Sequence, residues 1–127
     1  MLKNAITVVP TLPAVDLQRA RKFYEEKLGL TVARTDPSPG VYYQVGKGEL
    51  YLYQRGATKA DHTVASFWVK DVEAEVKALK AKGVVFEEYD IPSMGLKTVN
   101  SVATMGSMKA AWFRDTEGNV LAVGNPG

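Results

Sequence analysis

His62 is the only histidine in the chain, and cysteine is absent. These two facts bound the chemistry before any fold is considered. Without thiols there are no disulfides, no thiolate metal sites and no cysteine nucleophile. One imidazole supplies one metal ligand where three or more are normal, so His62 reads as a strand-end surface histidine or as a general base. The carboxylates Glu87, Glu88 and Asp90 cluster after a strand with no partner at a predictable distance, as on a solvated edge. Gly46-Lys47-Gly48 is too short for a phosphate loop and reads as a hairpin turn. Met94, Met105 and Met108 border the loop 92–107, where they fill core space or close over a ligand. The remaining chemistry is aromatic. Tyr51, Tyr53, Trp68 and Trp112 are side chains that hold planar or hydrophobic molecules by stacking.

Strands and turns must aim those side chains. Residues 5–13 favour a strand, an edge or kinked one because Pro10 and Pro13 each remove a ladder donor. Asp16 caps a helix to about Leu28, with Leu17, Ala20, Phe23, Tyr24 and Leu28 at helical spacing and Gly29 as its stop. Strands follow at 30–35, 41–45 and 49–54. After the loop 55–61 the pattern restarts. His62–Val69 is a strand, Asp71 caps a helix carrying Val72, Val76 and Leu79, Gly83 stops it, and Val84–Glu88 is a strand. Two further strands are expected over 96–105 and 108–114. The offset from Asp16 to Asp71 nearly equals that from Gly29 to Gly83, the mark of an internal duplication of a β-α-β-β-β unit. A unit with one helix covers its sheet on one face only, and the concave other face is where small-molecule sites form.

The composition of the 127 residues suits this reading. They are 46% hydrophobic and 24% charged, enough apolar material for a core. A net charge of +2 with scattered Lys and Arg does not suit nucleic acid. No apolar run reaches membrane length, and the first residues lack a secretory h-region. With cysteine absent, a cytoplasmic protein is expected.

Three motifs in order carry a resemblance. They are Val15-Asp16-Leu17 with Ala20, Phe23-Tyr24 and Leu28-Gly29-Leu30; then Val69-Lys70-Asp71-Val72; then Trp112-Phe113-Arg114-Asp115-Thr116-Glu117-Gly118-Asn119, where Thr116 replaces the usual proline. The chain resembles the vicinal oxygen chelate superfamily of glyoxalase I, extradiol dioxygenases, and fosfomycin- and bleomycin-resistance proteins. The resemblance implies an α+β fold in a single domain over 1–127. Two tandem βαβββ modules, about 1–55 and 62–127, would form a curved mixed sheet with helices on the outer face and a concave ligand cup. It also implies where metal ligands would stand. Counting the family's spacing onto this chain lands on Val9, Tyr51 (or Tyr53 in a shifted register), Val64 and Ala122. Valine and alanine offer a metal no donor, so no metal and no cofactor are expected.

Strand parity then lines the cup with Thr7, Thr11, Tyr51, Tyr53, His62, Ser66, Trp68, Trp112 and Arg114. These rings suit a ligand, or equally a dimer or inter-module core. The expected function is a metal-free binding protein for an aromatic or hydrophobic organic molecule, of the kind that sequesters antibiotics or metabolites. The alternatives are an enzyme of the same superfamily, a lyase, isomerase or dioxygenase type using His62 or a metal with displaced ligands, and a ligand-free dimerisation module. A homodimer is expected under all three.

Overall fold

A computed structural model of the chain describes residues 1–59 and 61–126. Two compact units, Met1–Lys59 and Ala60–Gly127, each consist of a sheet with one α-helix against it. This is the α+β architecture of two tandem modules that the duplicated pattern predicts.

In the first unit, helix α1 (Leu17–Lys22) runs on through a π-type turn, Phe23–Lys27. It starts where it does because the Asp16 carboxylate accepts the Arg19 N–H at 3.1 Å. It stops at Gly29, whose φ of 72° is open to glycine without strain. Leu17, Ala20, Phe23 and Tyr24 form its buried face. The sheet combines β1 (Thr11–Ala14), β2 (Thr31–Asp36), β3 (Gly40–Val45) and β4 (Gly48–Gln54) in the order β1-β4-β3-β2, with β1 parallel to β4. Alternation along the strands sends Leu12, Ala14, Val41, Tyr43, Leu50 and Leu52 into the core against α1, each worth roughly 1.5–3 kcal/mol for the large apolar side chains. Tyr43 stacks on Tyr24 of the helix, and its hydroxyl donates to Glu25 at 2.9 Å.

The second unit repeats the scheme with more strands. Asp71 caps helix α2 (Val72–Ala81) by accepting the Ala74 N–H at 3.1 Å, and Val72 and Val76 are buried. The strands are β5 (Thr63–Trp68), β6 (Asp90–Ile91), β7 (Leu96–Val99), β8 (Val102–Met105), β9 (Met108–Arg114) and β10 (Val120–Gly124), ordered β5-β10-β9-β8-β7-β6. Ala111, Phe113, Leu121 and Val123 are buried and share one face of the sheet by register. The β9–β10 turn is built on a buried carboxylate. Asp115 accepts the backbone N–H groups of Glu117 and Asn119 and the Asn119 amide, each at 2.8 Å.

Several boundaries differ from the sequence pattern, each for a local reason. Of residues 5–13, only those from Thr11 onward are in a strand, because pairing begins where the Pro10 carbonyl accepts the Tyr51 N–H. Pro10 has no N–H with which to continue it. Val84–Glu88 is not a strand, and makes a single bridge from Phe86 to Phe113. The expected strand over 96–105 is the hairpin β7–β8, turned at Asn100 and Ser101 with φ of 51° and 75°. Glu88 holds that turn by accepting Ser101 Oγ at 2.6 Å, Ser101 N at 3.1 Å and Thr98 Oγ1 at 2.7 Å. Glu88 is therefore a clasp rather than part of a solvated edge, and these donors hold its carboxyl below the usual range.

Burial, then the bond to Glu25, pushes the Tyr43 phenol above the ordinary tyrosine range. The unfolded chain ionises this phenol near pH ~10 while the folded chain keeps it neutral, so its contribution is complete below that pH and is lost as pH rises above it. Tyr43→Phe is expected to lower stability by about 1 kcal/mol at neutral pH and to flatten the alkaline loss, read by urea unfolding at pH 7 and 10.5.

Candidate ligand-binding faces

The face of the first sheet opposite α1 carries a row of stacked rings. Tyr42 of β3 and Tyr51 of β4 are register partners, their ring centroids 4.3 Å apart and planes within 25°. Tyr51 and Tyr53 stack at 5.9 Å and 9°. All three rings are half-buried. Gly40 makes the row fit. The Tyr51 ring edge lies in the space that a side chain at Gly40 would fill, with Tyr51 Cε1 at 2.6 Å from the place of a Cβ. Across that gap the Tyr51 hydroxyl donates to Asp36 Oδ2 at 2.7 Å and meets Ser38 Oγ at 3.2 Å. The tyrosine bond, with support from Ser38, holds the Asp36 carboxyl below its ordinary value. The Ser38 contact draws the Tyr51 phenol down, but the Asp36 bond and partial burial outweigh it and leave the phenol raised. At the far end of the row the Arg34 guanidinium sits 4.0 Å from the Tyr42 ring centre and is paired through both terminal nitrogens with Glu49.

The corresponding face of the second sheet centres on Trp112 of β9. Tyr89 meets it edge to face at 5.5 Å. Ala122 of β10 lies between Trp112 and Ser66 in register, and Gly124 lies between Ala110 and Trp68. Trp68 is 70% exposed. Arg114 donates to Glu87 Oε1 at 3.0 Å and to the Gly118 carbonyl at 3.1 Å.

The expected lining residues therefore divide. Tyr51 and Tyr53 stand together, with Thr11 the register partner of Tyr51. Ser66, Trp68, Trp112 and Arg114 belong to the second sheet. Thr7 and His62 lie outside the strands, one ahead of β1 and the other ahead of β5, both exposed. The side chain of His62 is 73% exposed, with Nδ1 3.1 Å from Asp61. Its strand-face placement fails because β5 starts at Thr63 and its register against β10 shifts at Val64. Tyr42, Asp36, Ser38, Gly40 and Tyr89 were not singled out. Tyr42 was legible by parity, since Val41 and Tyr43 on either side are apolar and buried.

The positions where the resemblance puts metal ligands do not fit a metal. Val9, Val64 and Ala122 offer only hydrocarbon, and the phenol of Tyr51 is engaged with Asp36 and Ser38. Among the described residues no three His, Cys, Asp or Glu side chains stand close enough to share an ion.

Comparison with known proteins agrees with this geometry at the level of the fold. The structure of UcmS2 is similar, with a TM-score of 0.73 at 21% identity over 96% of this chain and 98% of that one. Lactoylglutathione lyase from Agrobacterium tumefaciens gives 0.68 at 21% identity over 96% and 94%. FosX, a genomically encoded fosfomycin resistance protein from Listeria monocytogenes, gives 0.67 at 11% identity over 97% and 92%. No curated protein sequence matches the chain. The family model described as Glyoxalase/Bleomycin resistance protein/Dioxygenase superfamily matches residues 7–123, and the chain belongs to that superfamily.

Proposed function

We propose that this chain is a binding protein that works without a metal and holds an aromatic or hydrophobic organic molecule, with sequestration of an antibiotic or metabolite as its role. The observation that carries the reading is the tyrosine row of the first sheet. Three rings are stacked on the face opposite α1, and the hydroxyl of the central one is tied down by Asp36 and Ser38. Rings so placed offer apolar area and fixed polar tips together, the usual make-up of a small-molecule site. The hydrocarbon side chains at the family's ligand positions support binding over metal chemistry. Resistance to fosfomycin in one structural neighbour is consistent with a protective role.

A second reading rests on the Asp61–His62 hydrogen bond, which would orient an imidazole for proton transfer. It makes the chain a lyase or isomerase of the superfamily. A homodimer belongs to both readings, because β1 and β5 each end their sheet as edge strands, and open edges and symmetric pairing go together.

Three measurements follow. In a thermal-shift screen, planar aromatic compounds should raise the melting temperature of the wild type. Gly40→Ala, which evicts the Tyr51 ring from its place, should bind the best compound about tenfold more weakly; equal binding would remove the tyrosine row from the site. Metal analysis of purified protein should give far less than one Zn, Ni, Fe or Mn per chain, and stoichiometric metal would overturn the reading in favour of an enzyme. Light scattering should return the mass of two chains, against one for a monomer.

A further inference from the structure

The four strands of the first sheet carry only three charged residues, Arg34, Asp36 and Glu49. Arg34 and Glu49 neutralise one another in a two-nitrogen pair. Asp36 has donors, the Tyr51 hydroxyl and the Ser38 N–H at 3.0 Å, but no cation among the described residues. One carboxylate is thus in surplus beside three electron-rich rings. On the second sheet the charged residue of β9 in parity with Trp112, Arg114, is occupied by Glu87 and the Gly118 carbonyl. Each arginine aimed along these aromatic faces is bound to a carboxylate of the same unit.

The row itself records what it attracts. A planar cation, the Arg34 guanidinium, lies over the Tyr42 ring at one end of the stack. Donation from the Tyr51 hydroxyl to Asp36 makes the central ring richer in electrons, which strengthens cation–π attraction along the row. Tyr53 is the ring at the opposite end.

We infer that the ligand of this site is a planar organic cation, stacked at the Tyr53 end of the row and balanced by Asp36, and that anions of the same shape are rejected. The inference rests on the proposed binding function and specifies its ligand class. A net positive chain does not oppose it, because exposed charges more than about 10 Å from the site are largely screened at physiological salt.

The test compares three probes of one shape by fluorescence titration at pH 8: N-methylacridinium, neutral acridine and acridine-9-carboxylate. The cation should bind about tenfold more tightly than the neutral compound, with the anion weakest and the preference shrinking as salt is raised. Asp36→Asn keeps an acceptor for Tyr51 and should lower the cation-to-neutral ratio several-fold, leaving the cation–π share of the preference. Glu49→Gln leaves Arg34 without its carboxylate and should shift the ratio toward the anion. Equal binding of all three, tighter binding of the anion, or an unchanged ratio in Asp36→Asn would overturn the charge preference while leaving aromatic binding intact. Failure of every probe, together with an empty thermal-shift screen, would overturn the binding function itself.

Discussion

Each sheet has one helix, and most of the structure follows from that shortage. A sheet has two faces, and its strands alternate between them, so α1 or α2 seals one face and the other has no helix of its own unit against it. In the first unit the sealed face takes Val41, Tyr43, Leu50 and Leu52, all nearly inaccessible. The residues interleaved with them, Tyr42, Tyr51 and Tyr53, are fixed on the unsealed face by the same periodicity. The second unit follows suit, with Ala111 and Phe113 sealed and Trp112 between them on the other side.

Within that constraint a glycine decides what the face becomes. Gly40 stands in register between Asp36 and Tyr53, and the missing side chain leaves room for Tyr51 to lean across β3. The lean brings its hydroxyl to Asp36 and its ring against Tyr42. The bond to Asp36, which lies beyond β3, is out of reach of a tyrosine standing upright from its strand. The second module differs here, since its strands carry no tyrosine and Tyr89, from the chain following α2, is set against Trp112 instead.

Features that depend on neighbours in sequence were legible, and those that depend on distant partners were not. Asp16, Gly29, Asp71 and Gly83 mark helix ends through contacts within a few residues, and all four stand where the spacing puts them. The alternation that separates Leu50 and Leu52 from Tyr51 and Tyr53 was equally local. Thr7 and His62 were misplaced because strand ends are set by the partner strand, through Pro10 in one case and the shift at Val64 in the other. The turn at Asn100 and Ser101 was unreadable for the same reason. A serine at φ 75° is unusual, and what holds it is Glu88, thirteen residues earlier. Tyr42 shares the parity of Gln44 in β3, and its place in the row depends on Tyr51, nine residues away and its partner only through the β3–β4 register.

The lock formed by Gly40, Tyr51 and Asp36 also bears on when disorder is given up. A phenol ring free to turn about its side-chain bonds must be immobilised by whatever it grips, and that loss weakens the grip. Here the central ring is immobilised as the chain folds, its hydroxyl anchored and its flanks filled by Tyr42 and Tyr53. The loss is charged against the stability of the fold, and an arriving molecule meets a surface with little left to order. Affinity on such a surface depends on shape and charge match, so close analogues should differ mainly in how long they stay rather than in how fast they arrive.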